Sequence, residues 1–323
     1  MNSLDIFLQD TQKYFDYFFE TKGFTSQITP NLLNEEALQA AKLIRGFGPG
    51  PTIVERKPAL IIQGIMPRSG TVYAGELMRL HPDLYAYPYQ LWEFPALMLT
   101  GDILNLQKQF LLNYKKNIGK LGEEDFLPIF GAAMIGYLHA SAPIEKRVLI
   151  KMPAVQYLSH FFSMFPYENL LILARDGRDL VHSTLRTWPR LNFPQVCLRW
   201  NRSARVILST IDAFEAKQQT GYWLGRYEEA LADPVSFVQK ACDHLDLDKK
   251  RYPYQKIDEV RVIGSSKLAA TKGTVDWQVH QKKPKDFKPT QYWQSWPPLK
   301  KLTFKVIAGR SLIKLGYEAD MGW

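Results

Sequence analysis

Cysteine is scarce in this sequence, since Cys197 and Cys242 are the only two among 323 residues. Two cysteines are too few for a disulfide framework and fit the reducing environment of the cytoplasm. They also cannot assemble a metal cluster, and the 6 histidines are scattered without the pairing that metal ligands show. We therefore expect a cytoplasmic protein without a metal site.

Long apolar runs are also missing, because no stretch reaches the ~20 uninterrupted apolar residues that a membrane-spanning helix needs. The N-terminal segment carries Asp5, Asp10 and Asp16 among its apolar residues and lacks the basic start of a secretory signal. We expect no membrane span and a chain that stays where it is made.

Positive charge is the clearest bias in the composition, with a formal net charge of +9. This charge admits nucleic acid, an acidic membrane surface or an anionic substrate as a partner. The lysine-rich segment 267–314 is interrupted by prolines, tryptophans and acidic residues, and it contains no zinc-finger, RRM or leucine-zipper pattern. We expect no nucleic-acid partner, because a polyanionic small cofactor accounts for part of the charge equally well.

The hydrophobic pattern divides the chain into an extension and one main domain. Residues 4–19 carry apolar side chains at helical spacing, and the sequence GFGPGP at 46–51 is typical of a linker. We predict an N-terminal helical extension and linker at 1–50 and a single domain at 51–323.

Within that domain, apolar segments of strand length alternate with helical patterns. The segments 59–65, 147–151 and 169–174 are each followed by a helical pattern, and a shorter strand is predicted at 221–227. This alternation predicts an α/β fold with a parallel central sheet flanked by helices. The segment 92–141 reads as mostly helical and could wall a substrate cleft. Ligands of such sheets bind beyond the carboxyl ends of the strands.

Cationic and hydroxyl residues stand at three of these strand ends. The sequence PRSGT at 67–71 follows the first strand, Lys151 ends the second, and the segment 175–183 follows the third. The first loop is not the P-loop of nucleotide triphosphatases, because five residues separate Gly64 from Gly70 and no lysine precedes Thr71. The pattern favours a phosphate cradle without the usual lysine and magnesium.

These segments resemble the sulfotransferase family that uses 3′-phosphoadenosine 5′-phosphosulfate (PAPS) as donor and releases 3′-phosphoadenosine 5′-phosphate (PAP). The family's 5′-phosphosulfate loop typically reads P-K/R-S-G-T-T, which 67–71 matches, and its 3′-phosphate segment R-D-P-R-D-x-x-x-S is matched by 175–183 without a gap. The sequence RYE at 226–228 resembles the segment near adenine, and 272–277 resembles the late R-K-G…G-D-W loop. The order of the four segments is that of the family.

The resemblance implies a P-loop-like sulfotransferase fold in the domain 51–323, with an arginine-type first loop as in bacterial and Golgi members. It also implies a set of PAPS-binding residues: Arg68, Ser69, Gly70, Thr71, Arg175, Ser183, Tyr227, Lys272 and Gly273. Two positions depart from the family, since Val72 replaces the second threonine and Thr271 replaces the arginine of R-K-G. Donor affinity is therefore expected to depend more heavily on Arg175, Ser183 and Lys272.

The resemblance also bears on the catalytic residues. Arg68 and Lys151 fit the cationic roles that stabilise charge on the transferred group. The histidine base of the cytosolic branch is absent, because the chain reads Lys-Met-Pro at 151–153. We predict Glu93 as general base, because relatives with an arginine-type loop commonly place a glutamate after an HPD-like segment. The alternative base is His139, which ends the helix that could wall the cleft.

The leading hypothesis is transfer of a sulfuryl group from PAPS to a hydroxyl or amine of a small-molecule acceptor. The small acceptor is favoured because relatives that modify proteins or polysaccharides often have an N-terminal anchor. Two alternatives remain: a P-loop kinase-like nucleotide enzyme, and a non-catalytic module that binds PAP or RNA. The sequence leaves the acceptor, the choice of O- or N-sulfation and the oligomeric state open.

Overall fold

The computed structural model describes residues 35–46, 56–88, 91, 93–152, 154–263, 265, 273, 275, 280–281 and 289–323. The predicted helix at 4–19 and residues 47–51 of the predicted linker lie outside these residues. The domain boundary near residue 51 therefore stays a prediction.

A five-stranded parallel sheet lies at the centre of the fold, with the strand order β2-β3-β1-β4-β5. Its strands are β1 (Leu60–Gly64), β2 (Leu84–Ala86), β3 (Arg147–Met152), β4 (Asn169–Ala174) and β5 (Tyr222–Arg226). The predicted parallel α/β sheet is confirmed. Strand β2 has no signal in the sequence, because three residues are too short to show a periodic pattern.

Helices cover both faces of the sheet. They are α1 (Glu35–Gly46), α2 (Thr71–Met78), α3 (Thr100–Asn113), α4 (Phe126–His139), α5 (Phe161–Met164), α6 (Gly177–Thr187), α7 (Phe193–Ala216), α8 (Tyr227–Ala232), α9 (Pro234–His244) and α10 (Pro298–Lys314). The mostly helical reading of 92–141 is confirmed by α3 and α4. A separate antiparallel pair joins β6 (Val262–Ile263) to β7 (His280–Gln281). None of the described helices combines the length and apolarity of a membrane span.

The core has two layers because successive side chains of a strand point to opposite faces. Ile61 of β1 packs in the layer that also contains Trp200 of α7 and Phe304 of α10. Ile62 points the other way, into the layer that contains Leu77 of α2 and Phe237 of α9. Strands β1, β3 and β4 are buried along their whole length, which explains why their sequences are mostly apolar.

The register of the sheet sets the position of the loop that follows β1. Ile62 pairs with Lys151 of β3, and Gly64 pairs with Leu173 of β4. The loop at 65–70 therefore leaves the sheet between the carboxyl ends of β3 and β4. This arrangement brings the three strand-end segments with cationic residues to one edge of the sheet.

Candidate active site

The loop after β1 is a tight turn that only particular residues can form. Arg68 and Gly70 both have positive φ, at 75° and 91°, and the amide of Ser69 donates to the carbonyl of Met66 at 3.2 Å. A Cβ atom at Gly70 would lie 2.2 Å from Cδ2 of Tyr227. Glycine is therefore required at position 70 both for its backbone conformation and for close contact with the tyrosine ring.

The side chain of Ser69 faces the interior of this turn. It is fully buried, and its Oγ has no hydrogen-bond partner among the described residues. Helix α2 begins immediately after the turn, and no side chain in the described part of the protein caps its first amides. A buried hydroxyl without a partner costs about 1–3 kcal/mol, and free amides at a helix start bind anions. The turn is therefore suited to an anionic group that accepts hydrogen bonds from the Ser69 hydroxyl and from the first amides of α2.

Arg175 connects this turn to two other segments. Its Nη1 donates to the carbonyl of Arg68 at 2.6 Å and its Nη2 to the carbonyl of Pro289 at 2.8 Å. The guanidinium lies over the ring of Tyr227, 4.6 Å from the centroid. The Nε of Arg175 is buried and finds no partner within the described part of the chain. Arg175 thus holds the turn in place while its Nε–H is left to donate to a ligand.

Ser183 lies on α6 and reaches the same turn. The Nε of Arg68 donates to the Oγ of Ser183 at 3.3 Å. Burial, together with the nearby charge of Arg175, lowers the pKa of Arg68 to about 9. Two guanidinium groups buried this close repel each other, so a bound anion would stabilise both. The structure therefore brings Arg68, Ser69, Gly70, Arg175, Ser183 and Tyr227 together, as the sequence predicts.

The second cationic group, Lys151, is paired with Glu93. The amide of Phe94 donates to the carbonyl of Lys151 at 2.9 Å, so the chain after β2 runs beside the end of β3. The Nζ of Lys151 lies 3.3 Å from Oε1 of Glu93, with the lysine 2% exposed and the glutamate 29%. Burial lowers the pKa of Lys151, and the carboxylate of Glu93 opposes that shift. The pair offers a cation and a partly accessible carboxylate at the site edge of the sheet.

The last predicted donor segment is only partly described. Lys272 lies outside the described residues, so its predicted role stays a prediction. Gly273 has a positive φ of 81°, and its amide donates to the carbonyl of Arg186 at 2.9 Å. This contact sets Gly273 beside the last turn of α6, the helix that carries Ser183.

Comparison with known proteins decides the family. Residues 58–251 match the model of the sulfotransferase family. This range contains the segments 67–71 and 175–183 and the Glu93–Lys151 pair. The chain belongs to the sulfotransferase family. This sulfotransferase is accordingly an enzyme, and PAPS is its sulfuryl donor.

Two curated relatives show the range of the similarity. A Drosophila melanogaster protein named protein-tyrosine sulfotransferase is 24% identical over 225 residues, which is 67% of this chain and 44% of the relative. A Caenorhabditis briggsae protein that carries the same name provisionally is 23% identical over 214 residues, 64% of this chain and 71% of the relative. The match thus spans less than half of the fly protein and about seven tenths of the worm protein.

The fold of the sulfotransferase is also found among solved structures. The sulfotransferase domain of the Synechococcus PCC 7002 olefin synthase superposes with a TM-score of 0.51 and 18% identity, covering 81% of this chain and 96% of that domain. At this identity the similarity establishes the fold alone. The predicted P-loop-like sulfotransferase fold is therefore confirmed.

The residues at the turn fit a PAPS molecule on structural grounds. The Ser69 hydroxyl and the start of α2 suit a phosphosulfate, and the Nε of Arg175 suits a second phosphate, since none of them has a side-chain partner within the described residues. The hydroxyl residue Thr71 is also buried at the first position of α2. PAPS when bound supplies a sulfuryl group attached to a phosphate leaving group. No cluster of three or more metal-ligating side chains occurs in the described part of the sulfotransferase.

His139 is the predicted residue that the structure places elsewhere. It is buried at the end of α4, and its carbonyl accepts a hydrogen bond from Nη1 of Arg56 at 3.3 Å. Arg56 precedes β1, whereas Glu93 lies beside the carboxyl end of β3. A five-residue strand is about 16 Å long, so His139 and Glu93 lie toward opposite edges of the sheet. The role of His139 as an alternative base has no geometric support.

A brace from the C-terminal segment, which the sequence does not reveal, holds the start of α6. Arg178 forms a bidentate contact with Asp176, the residue that caps α6, and its Nη1 donates to Glu318. The guanidinium also lies over the rings of Trp293 and Trp323, 3.8 and 4.5 Å from their centroids. Arg178 therefore holds α6, which we call the donor helix because it carries Ser183, and is not open to a ligand.

Glu228 adds a second link in the same brace. Its Oε1 accepts from the amide of Asp176 at 3.0 Å, and its Oε2 accepts from the hydroxyl of Tyr317 at 3.2 Å. Burial raises the pKa of Glu228 to about 7, although the charge of Arg175 opposes the shift. The glutamate of the predicted RYE segment thus supports the donor helix. Its partner Tyr317 gives no signal in the sequence.

Gln63 is a further site residue that the sequence signals only weakly. It is a polar residue within the apolar strand β1, and it is fully buried. Its Nε2 donates to the carbonyls of Met152 and Ala154, which follow Lys151. Gln63 therefore connects the carboxyl end of β1 to that of β3. It fixes the spacing between the Glu93–Lys151 pair and the turn at 65–70, which we call the donor turn.

Proposed function

We propose that this sulfotransferase transfers the sulfuryl group of PAPS to a hydroxyl acceptor, and that the tyrosine phenol of a peptide is the acceptor to test first. One observation carries the proposal: a buried cationic turn, whose serine hydroxyl has no partner among the described residues, lies on the same sheet edge as a carboxylate–ammonium pair. The first element suits the donor. The second suits activation of the acceptor.

The donor is held by two groups of residues in this proposal. Arg68, Ser69, Gly70 and Thr71 bind the 5′-phosphosulfate through the turn and the start of α2. Arg175 and Ser183, joined by Lys272, bind the 3′-phosphate with charge-assisted hydrogen bonds. Tyr227 positions both groups, because its ring contacts Gly70 on one side and the guanidinium of Arg175 on another.

The proton of the acceptor is taken by Glu93. A carboxylate that is 29% exposed can reach an incoming hydroxyl, and a general base of this kind accelerates reactions by about 10²–10⁴. Lys151 and Arg68 stabilise the negative charge that develops on the transferred group and on the departing phosphate. A neutral amine would need no such base, which is why we favour a hydroxyl.

The class of acceptor is supported by the names of the relatives. Both curated relatives are named for protein-tyrosine sulfation, and a phenol with a pKa near about 10 loses its proton only with the help of a base at neutral pH. The small-molecule acceptor expected from the sequence stays a prediction. So does the cytoplasmic location.

The test is incubation with labelled PAPS and a matched set of acceptors, followed by mass spectrometry. The set contains a peptide with one tyrosine, the same peptide with phenylalanine, and a panel of small phenols, alcohols and amines. We expect label on the tyrosine peptide and none on its phenylalanine counterpart. Label on the small phenols alone would transfer the proposal to a small-molecule acceptor.

Two alternatives are tested with the same assay. A kinase-like nucleotide enzyme requires magnesium, whereas Arg68 and Lys151 can neutralise a single transferred group, so EDTA should leave the rate nearly unchanged. A module that only binds PAP or RNA would show salt-sensitive binding without turnover. Loss of activity in EDTA that magnesium restores would favour the nucleotide enzyme.

A further inference from the structure

Helix α10 exposes a stripe of apolar side chains to solvent. Leu299, Leu302 and Val306 are 73%, 57% and 76% exposed, and their spacing of three and four residues places them on one face of the helix. Met321 extends this face, because a Cβ at Gly309 would lie 2.8 Å from its sulfur and the side chain is 42% exposed. We call these four apolar side chains the α10 stripe.

Positive charge flanks the α10 stripe along its whole length. The sequence PLKKLTFKVIAGRSLIK of α10 contains five lysines and arginines and no acidic residue. Lys301 and Lys305 lie 5.7 and 4.9 Å from the ring centroids of Trp293 and Trp323. The other three cations are exposed: Lys300, Arg310 and Lys314.

The neighbouring helix α7 continues the same surface. Ser311 of α10 donates to Oδ1 of Asn201 at 2.5 Å, which fixes the two helices side by side. The adjoining exposed face of α7 carries Leu198, Arg202 and Arg205, and residues 193–209 contain no acidic side chain. Asp320, which accepts from the amide of Gly322, is the acidic residue beside Met321. The surface is therefore apolar along its centre and cationic at its flank.

We infer that this face of α7 and α10 binds the surface of an anionic lipid bilayer. An exposed apolar stripe is stabilised when it leaves water, and cations beside it are stabilised by negative charge. A leaflet that contains acidic lipids supplies both, since acyl chains lie directly beneath anionic headgroups. A second copy of the chain would bring like charges together, and nucleic acid would leave the stripe in water.

The experiment is sedimentation of the full chain with vesicles that contain about 30 mol % anionic lipid or neutral lipid only. We expect binding to the anionic vesicles that weakens with salt. The triple variant Leu299→Ser, Leu302→Ser, Val306→Ser should bind at least about tenfold more weakly. Its control carries serine at two exposed aliphatic positions on other elements, Leu43 of α1 and Ile144 between α4 and β3, and should bind normally.

A second triple variant tests the charge: Lys300→Glu, Arg310→Glu, Lys314→Glu. Its control makes the same change in charge at Lys115, Lys116 and Lys120, which are exposed beyond α3. The first variant should lose binding and the control should retain most of it. Circular dichroism and thermal midpoints must agree among all variants, so that any loss reflects the surface rather than folding.

Three results would overturn the inference. One is the absence of binding to anionic vesicles at low salt. Another is unchanged binding by the serine triple variant, since the stripe would then have no part. The third is a concentration-dependent dimer in analytical ultracentrifugation that the same serine variant abolishes, because the face would then join two copies of the chain.

Discussion

Replacement of Gly70 by alanine tests the packing of the donor turn directly. The new Cβ would lie 2.2 Å from Cδ2 of Tyr227, where ordinary carbon contacts are about 3.5–4.0 Å. The tyrosine is 6% exposed and lies under the guanidinium of Arg175. The ring therefore cannot retreat easily, and the turn that carries Arg68 and Ser69 must shift by more than about 1 Å.

Gly119 provides a matched control for this substitution. It has a φ of 83°, close to the 91° of Gly70, but a Cβ there would meet nothing within 4 Å. Alanine in the left-handed region costs about 1–2 kcal/mol at either position. Both variants should thus lose similar stability from backbone strain. Only Gly70→Ala should also displace the donor turn.

The assay is calorimetry of PAP binding together with steady-state kinetics. A displacement of about 1 Å in a positioned group can cost roughly 10²-fold in rate, so kcat/KM should fall by about that factor and PAP affinity by at least about tenfold. In a Tyr227→Ala background the penalty of Gly70→Ala should shrink to that of Gly119→Ala, since the clash is gone. Equal PAP affinity in Gly70→Ala and Gly119→Ala would refute the reasoning.

Three further substitutions test other parts of the site. Arg175→Ala removes a guanidinium whose charge-assisted bonds are worth about 1.5–3 kcal/mol each, so calorimetry should show PAP binding at least about tenfold weaker. The PAP affinity of Arg175→Lys should lie between those of Arg175→Ala and the wild type. Glu93→Gln should lower kcat by ~10²–10⁴ with a hydroxyl acceptor while PAP affinity changes little; near-normal turnover beside an inactive His139→Ala would move the base to the histidine. Burial raises the pKa of Glu228 to about 7 from 4.5, so its protonated form stabilises the fold below about pH 4.5 and this stability is lost as the pH rises through 7. Thermal midpoints should therefore fall in the wild type relative to Glu228→Gln over this range, and a constant difference would contradict the assignment.

The parts of the site that can be predicted from sequence are those formed by neighbouring residues. The turn at 67–71 and the segment 175–183 are each contiguous, and each follows an apolar strand whose carboxyl end is defined by the pattern. Parallel pairing then brings the two loops together without further information. This is why the sequence alone groups Arg68, Arg175 and Ser183.

The parts that cannot be predicted depend on distant residues or on packing. Glu318 contacts Arg178 across 140 positions, and nothing in the local sequence of either residue indicates the other. The end of α4 can be predicted, but not which edge of the sheet it faces, so helix position alone wrongly groups His139 with the site. Gln63 stands out in the sequence as a polar residue in an apolar strand. Its contacts with β3 can be predicted only when the pairing register of β1 and β3 is known.

The brace between the C-terminal segment and α6 also sets an order of events during synthesis. Glu318 leaves the ribosome 140 residues after Arg178, which corresponds to roughly seven to thirty seconds at ordinary rates of translation. Throughout that interval Arg178 lacks its contacts with Glu318 and Trp323, and Glu228 lacks its contact with Tyr317. A nascent chain can thus form the central sheet and the donor turn well before its donor helix is fixed, and PAPS binding would mark the arrival of Glu318 and its neighbours.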